Sequence, residues 1–153
     1  MFATPLARNR VGSFPPQLIR LSRATTNPRI LIVEDHDDTR EMLRLMLEMK
    51  GCLVMDACNG LEGVALARRW RPDLILMDGS LPILDGLAAT RRIREDVLLR
   101  GAFIIAMNGW GTPGYHTAAL TAGCDDCMVK PLDFDRLEGY LERLFNQSSL
   151  AGV

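Results

Sequence analysis

The amino-acid sequence predicts an α/β fold, a doubly wound (βα)5 three-layer sandwich in which helices cover both faces of a parallel five-stranded sheet. Between residues 29 and 146, five short apolar segments alternate with five amphipathic segments. Unbroken apolar runs of this kind are typical of strands that are buried on both faces. Strands that alternate with helices form parallel sheets, because each helix carries the chain back to the edge where the next strand begins. We therefore expect one domain over 29–146.

Each element has its own signal in the chain. The predicted strands are the apolar runs at 29–33, 52–57, 73–78, 102–107 and 126–130. The predicted helices are the segments that follow them, at 38–50, 61–70, 87–99, 115–123 and 133–145. Asp37 or Asp38 is the expected N-cap of the first helix, because a carboxylate accepts hydrogen bonds from the free N–H groups at a helix start. Gly51 is placed to end that helix.

Polar side chains stand at the carboxyl ends of the predicted strands, where doubly wound sheets bind their ligands. These residues are Glu34 and Asp35, Asp78, Asn108 and Lys130. Three crowded carboxylates repel one another unless a cation lies between them, and an all-oxygen set of ligands suits Mg²⁺. A lysine beside them can hold a phosphoryl oxygen, and an aspartate can accept a phosphoryl group. The strand ends therefore predict a site for Mg²⁺ and a phosphoryl group.

The charge is distributed unevenly along the chain. Five arginines and no acidic residue precede Glu34, and all 19 acidic residues lie from Glu34 onward. The leader, 1–28, is basic and rich in proline without sustained periodicity, so we expect a disordered arm or an overlong start to the chain, with an organelle transit peptide as the alternative. The tail, 147–153, is expected to be flexible. An acidic body argues against direct binding of nucleic acid, and no apolar run is long enough to cross a membrane.

The cysteines and histidines give no clear sign of a catalytic or metal site. Without a secretory signal, the four cysteines are predicted to be reduced, buried or half-buried thiols of a cytoplasmic protein: Cys52, Cys58, Cys124 and Cys127. The last two form a C-x-x-C pair, but Gly123 ends a helix just before them, whereas a redox pair places its first cysteine at a helix start. Cys52 and Cys58 are separated by five residues, which is more than the usual spacing of two cysteine ligands in a zinc site. His36 and His116 are expected to face solvent.

Four motifs resemble the response-regulator receiver domains of two-component signalling, and they occur in family order. They are "ILIVEDHDDTREML", "PDLILMDGSLPILDG", "FIIAMNGWG" and "AGCDDCMVKPLDFDRL". The resemblance implies a flavodoxin-like fold with strand order 2-1-3-4-5. It also implies a phosphoprotein that accepts a phosphoryl group from a histidine kinase or a histidine phosphotransfer protein and signals through contacts with a downstream protein. The few residues after Phe145 leave no room for an output domain, so a single-domain receiver is expected.

The resemblance assigns roles to the residues at the strand ends. Asp78 takes the place of the phospho-acceptor, and Lys130 takes the place of the lysine that holds the phosphoryl oxygen. Asp35 corresponds to a direct Mg²⁺ ligand and Glu34 to a ligand that acts through water. The backbone carbonyl of Ser80 corresponds to a further Mg²⁺ ligand. In the family the peptide bond after this lysine is usually cis.

Two positions depart from the receiver pattern, and both belong to its conformational switch. Receivers usually end the fourth strand with Thr or Ser, where this chain has Asn108. They usually carry Tyr or Phe three residues before the lysine, where this chain has Cys127. An asparagine amide still donates hydrogen bonds, but a cysteine has no ring to rotate. We therefore expect intact phosphoryl chemistry and an altered switch, with any response centred on the "GWGTPG" loop at 109–114 and its Trp110.

Other functions fit these residues less well. The alternative is a pseudo-receiver, a module that binds partners without phosphorylation, which Asn108 and Cys127 favour and the acidic set with Lys130 disfavours. An aspartate-nucleophile phosphatase or a Toprim-type nuclease would need a second Asp where Ser80 stands, so we do not expect an enzyme. The G-x-G-x-x-G spacing in 109–114 has a proline in the turn and does not follow a first strand, which argues against a dinucleotide site.

Overall fold

The computed structural model describes residues 27–109 and 111–151. Five parallel strands form one sheet: β1 (Arg29–Val33), β2 (Leu53–Ala57), β3 (Leu74–Asp78), β4 (Phe103–Asn108) and β5 (Asp126–Val129). Their order across the sheet is β2-β1-β3-β4-β5, which confirms the predicted topology. The direction of winding reverses between β1 and β3, so the carboxyl ends of these two strands border the crevice in which such sheets bind ligands. The predicted leader lies almost entirely outside the described residues.

Five helices follow the strands: α1 (Asp37–Met49), α2 (Gly60–Trp70), α3 (Gly86–Glu95), α4 (Tyr115–Ala122) and α5 (Phe134–Ala151). α3 is shorter than predicted because the Asp96 side chain accepts the N–H of Leu98 and starts a separate 3₁₀ turn, Val97–Leu99. α5 is longer than predicted, since no glycine or proline interrupts the chain between its predicted end and Gly152. The flexible tail stays a prediction. Within the described ranges, no helix has both the length and the apolar character needed to span a membrane.

The start of α1 corrects one prediction. The N-cap is His36, whose side chain makes no capping hydrogen bond. Asp37 and Asp38 lie inside the first turn, where negative charge is favourable near the positive end of the helix dipole. Asp37 accepts a hydrogen bond of 2.6 Å from the Arg40 guanidinium, so its carboxylate is bound to a side chain and not to the backbone N–H groups.

Alternate residues of each strand point to opposite faces of the sheet and build two cores. The core under α1 and α5 contains fully buried strand residues: Ile30, Ile32, Leu74, Leu76, Phe103, Ile105 and Met107. The core under α2, α3 and α4 contains the alternate ones: Leu31, Val33, Ile75, Met77, Ile104 and Ala106. β1, β3 and β4 are thus covered on both sides, as their unbroken apolar runs predicted.

The cysteines follow the prediction with one exception. All four thiols are free; Cys52 and Cys124 are buried and Cys127 is half-buried. Burial raises the pKa of Cys52 and of Cys124 to about 11, which leaves both thiols protonated and unreactive near neutral pH. Cys58 is exposed, so the prediction of a buried or half-buried thiol is wrong there; the residue follows β2 in the loop that leads to α2.

Arg94 ties α3 to the segments that precede β4 and β5. Its guanidinium donates to the carbonyls of Gly123 and Ala102 and forms a 2.7 Å ion pair with Asp125. The Asp125 side chain is only 7% exposed, and burial raises the pKa of this carboxyl. Arg94 is therefore the cation that offsets a buried negative charge.

We predict that Arg94→Met lowers the free energy of unfolding by about 3 kcal/mol, because it leaves the Asp125 carboxylate buried without its cation. Denaturant unfolding measures this difference. Arg92→Met, an exposed position on the same helix, is the matched control and should change stability by less than about 0.5 kcal/mol. Equal stability of the two variants would contradict the role given to Arg94.

Candidate functional site

Three of the predicted site carboxylates meet at the carboxyl ends of β1 and β3. Glu34 follows β1 and is fully buried, and Asp78 is the last residue of β3 and is 3% exposed. Asp35 is more open, with 32% of its side chain exposed. With His36, each residue of this group places one ligand atom within 4.8 Å of the others. The strand ends thus bring together the acidic residues that the sequence singled out.

Lys130 joins these carboxylates from the end of β5. Its ammonium group hydrogen-bonds directly to the Glu34 carboxylate and lies 3.4 Å from Oδ2 of Asp78. The Lys130–Pro131 peptide is cis, as the family resemblance implied. One ammonium therefore faces two buried carboxylates, and the group carries excess negative charge.

The excess charge is visible in the pKa values of the buried groups. Burial and the adjacent Glu34 raise the pKa of Asp78 to about 6. Burial also opposes ionisation of Glu34, but hydrogen bonds with Lys130 and Asp78 outweigh it and lower the pKa of Glu34. Burial disfavours the Lys130 ammonium, and its contacts with both carboxylates outweigh that effect and raise its pKa. Glu34 and Lys130 thus form the ion pair, and Asp78 is the acid whose negative charge is least compensated.

The backbone around Asp78 is fixed by close packing. The N–H of Ser80 donates to Oδ1 of Asp78 over 3.2 Å, which leaves Oδ2 on the side of Lys130. A Cβ atom on Gly86, the first residue of α3, would lie 1.9 Å from the Asp78 carbonyl oxygen, so the helix start requires glycine. Ser80 itself is exposed, and the role of its carbonyl as a metal ligand stays a prediction.

His36 faces solvent, as expected, but it also belongs to the acidic group. Its side chain is 75% exposed, and Nδ1 lies 3.2 Å from Oδ1 of Asp35 and 3.5 Å from Oε2 of Glu34. The one signal for this position in the sequence is its direct adjacency to two carboxylates. As a nitrogen donor in solvent, His36 is a less suitable Mg²⁺ ligand than the carboxylates.

The donor set fits Mg²⁺. Hard carboxylate oxygens come from Glu34, Asp35 and Asp78, and excess negative charge lies where the ion would add positive charge. Asp35 is open to water, and Mg²⁺ usually keeps several water ligands. These three residues are therefore the ones that would hold the ion.

Of the two atypical switch positions, Asn108 lies beside Lys130 and Cys127 lies earlier in β5. Asn108 is the last residue of β4 and is 9% exposed, and its carbonyl oxygen accepts the N–H of Lys130 over 2.8 Å. Cys127 is half-buried in β5 and pairs in register with Ala106. Trp110 lies outside the described residues, so the response expected of its loop stays a prediction.

Sequence reasoning missed Tyr115, the first residue of α4. Its side chain packs against the core that Cys127 also borders. Its phenolic oxygen is buried and, within the part of the chain that the structure describes, has no hydrogen-bond partner. A Cβ atom on Gly79 would lie 2.0 Å from this oxygen, so the hydroxyl lies against the residue directly after Asp78. A buried hydroxyl left in this state costs about 1–3 kcal/mol.

Comparison with protein families gives the identity of the domain. Residues 30–142 match the response regulator receiver domain. The chain belongs to this family. Its acidic group lies at the typical active-site position of a receiver, which is a signalling module and not a classical enzyme. Receiver domains interact with histidine kinases.

Individual receivers resemble this chain over most of its length. The polar-differentiation response regulator DivK of Brucella anthropi is 36% identical over 107 residues, which cover 70% of this chain and 87% of DivK. The DNA-binding dual master transcriptional regulator RpaA of Synechocystis is 31% identical over 121 residues, 79% of this chain, and the chain spans 50% of RpaA. The receiver domain of the sensor histidine kinase PA1611 from Pseudomonas aeruginosa is 36% identical, with a TM-score of 0.71 over 78% of this chain and 98% of that domain. That structure has a magnesium ion coordinated in its active site cleft.

Proposed function

We propose that this receiver accepts a phosphoryl group on Asp78 from the phosphohistidine of a histidine kinase or a histidine phosphotransfer protein, with Mg²⁺, and signals through contacts with a downstream protein. The observation that carries the proposal is the placement of Asp78, a buried carboxylate at a strand end that faces Lys130 and shares its site with Glu34 and Asp35. Phosphoryl transfer needs positioned groups and neutralised charge more than covalent help from the protein. This arrangement supplies both.

Glu34, Asp35 and Asp78 would hold Mg²⁺, and the Ser80 carbonyl is a further proposed ligand. When bound, the ion offsets the charge of the carboxylates and of the incoming phosphoryl group. The Ser80 N–H holds Oδ1 of Asp78, so Oδ2 is the oxygen that forms the new bond to phosphorus. The bond between phosphorus and the donor histidine breaks as this bond forms. Lys130, already beside Oδ2, neutralises a phosphoryl oxygen as a point charge.

Asn108 is proposed to contact the phosphoryl group from the end of β4, at the position of the family's hydroxyl residue. An amide has two N–H donors where a hydroxyl has one, so this side chain can still bind a phosphoryl oxygen. The proposed location is cytoplasmic, with which the four free thiols agree.

The proposal is tested by intact-mass spectrometry after treatment with acetyl phosphate. We expect the mass of one phosphoryl group to appear on the wild-type protein with Mg²⁺ and to be absent with a chelator, because the charge on the transferring group must be offset. Asp78→Ala should stay unmodified under both conditions. Equal labelling of Asp78→Ala would show that another residue is the acceptor.

The alternative function is a pseudo-receiver that binds its partner without phosphorylation. The absence of a ring at Cys127 favours it, because the usual switch needs an aromatic side chain there. In that case the same experiment would leave the folded wild-type protein unmodified, and Mg²⁺ would not raise its melting temperature.

A further inference from the structure

We propose that Tyr115, at the start of α4, is the residue whose packing changes when Asp78 is phosphorylated, in place of the aromatic side chain that β5 lacks. The inference rests on the proposed function, because it requires a phosphoryl group on Asp78. It goes further by placing the responsive aromatic residue on a different element of the fold.

The first observation is the small size of two neighbouring side chains on β4 and β5. Cys127 and its partner in register, Ala106, are small side chains on the face of the sheet that α4 covers. Tyr115 packs against that same core from the helix. Burial raises the pKa of the Tyr115 hydroxyl, with smaller contributions from Cys127 and from the charge of Asp78. The ring therefore packs against the same core as position 127, where the usual aromatic residue of β5 would stand.

The second observation is the contact with the site. The phenolic oxygen of Tyr115 is so close to Gly79 that a Cβ atom there would lie 2.0 Å away. Both polar backbone groups of Gly79 are already engaged: its N–H donates to the Met107 carbonyl over 2.9 Å, and its carbonyl accepts the N–H of Gly86 over 3.2 Å. The hydroxyl thus touches the residue next to the phospho-acceptor and gains no hydrogen bond from it.

The third observation is energetic. A switch needs two packings that are close in free energy and that differ in affinity for the phosphoryl group. The buried packing of Tyr115 is weakened because its hydroxyl is desolvated and, among the residues that the structure describes, has no hydrogen-bond partner. A shift of the ring would let the hydroxyl form hydrogen bonds, either with water or with the phosphorylated site.

The chain has two tyrosines, which makes a direct measurement possible. Protein labelled with 3-fluorotyrosine should give two ¹⁹F resonances, assigned with Tyr140→Phe. Tyr140 is the internal control, since its hydroxyl donates to Asp126 in the opposite core. Beryllofluoride with Mg²⁺, a mimic of the phosphoryl group, should shift the Tyr115 resonance and leave the Tyr140 resonance in place. Bound beryllofluoride gives its own ¹⁹F signals in the same spectrum.

The two possible failures are distinguishable. If bound beryllofluoride is seen and the Tyr115 resonance does not move, the inference is overturned and the proposed function stands. If wild-type protein binds no beryllofluoride in the presence of Mg²⁺, the proposed function fails, and the inference fails with it.

Tyr115→Phe provides a second test, because it removes the hydroxyl and keeps the ring. Loss of the hydroxyl removes the desolvation cost of the buried packing and leaves the shifted packing without its gain. The variant should therefore raise the melting temperature and weaken beryllofluoride binding about tenfold. Tyr140→Phe is the matched control; it should lower the melting temperature, through loss of the hydrogen bond to Asp126, and leave the affinity unchanged. A Tyr115→Phe protein with altered stability and wild-type affinity would show a purely structural role and overturn the inference.

Discussion

Lys130→Met should slow the phosphorylation of Asp78 by acetyl phosphate about 10²- to 10³-fold, the usual effect of removing one group that stabilises transition-state charge. Lys130 carries the ammonium that faces both Glu34 and Asp78. Without it, Mg²⁺ alone must offset the negative charge that accumulates as the phosphoryl group arrives. Initial rates from intact-mass spectrometry at saturating Mg²⁺ give the measurement.

The control for this prediction is Lys50→Met. Lys50 is the chain's other lysine, at the end of α1, and it pairs with Glu138 on the surface. Its replacement should leave the labelling rate unchanged. Thermal melts in Mg²⁺ establish that the Lys130→Met protein is folded at the assay temperature. Equal rates for the two variants would remove Lys130 from the proposed mechanism.

Asp78→Asn should raise the free energy of unfolding of the metal-free protein by about 2 kcal/mol at neutral pH. The reason is the raised pKa of Asp78, about 6 in the folded protein against an ordinary value of 3.8. At neutral pH the ionised carboxylate is less favourable in the folded protein than in the unfolded chain, because it is buried beside Glu34. Asparagine keeps the shape of the side chain and removes that charge.

The pH dependence of this difference has a definite sign. As the pH falls through about 6 toward 4, folded wild-type protein takes up a proton at Asp78 before the unfolded chain does, so its stability rises relative to Asp78→Asn. The gap between the two proteins should therefore shrink on acidification. Urea unfolding in a chelator at neutral and mildly acid pH measures it. Two results would contradict the excess charge assigned to the site. One is an Asp78→Asn protein that is less stable than wild type at neutral pH, and the other is a difference in free energy of unfolding that widens on acidification.

The strands and their carboxyl ends, which carry the site, were predictable because they depend on local patterns of apolar residues in the sequence. The unbroken apolar runs of β1 and β3 are interpretable without tertiary information, and Glu34 and Asp78 follow from where those runs stop. Helix ends were less predictable, since they depend on which side chains bind the free backbone N–H groups and which bind other side chains. Asp37 binds the Arg40 guanidinium inside the first turn of α1, where His36 is the N-cap, and Asp96 starts its own turn and shortens α3.

Tyr115 could not be found from the sequence, because its position depends on residues far away in the chain. Whether a tyrosine at a helix start points into the protein depends on the space next to it. Here that space is left by Gly79 after β3 and by Cys127 in β5. Sequence reasoning identified Cys127 as the loss of an aromatic residue and gave no indication that a residue of α4 lies beside it.

The central claim is that Asp78 carries the phosphoryl group, and chemical trapping tests it most directly. Borohydride reduces an aspartyl phosphate to homoserine, which tandem mass spectrometry locates in a proteolytic digest. After treatment with acetyl phosphate and Mg²⁺, we predict homoserine at position 78 and no homoserine in the chelator control. Homoserine at Asp35 or Asp37, or none at any position in protein shown to be folded, would contradict the claim.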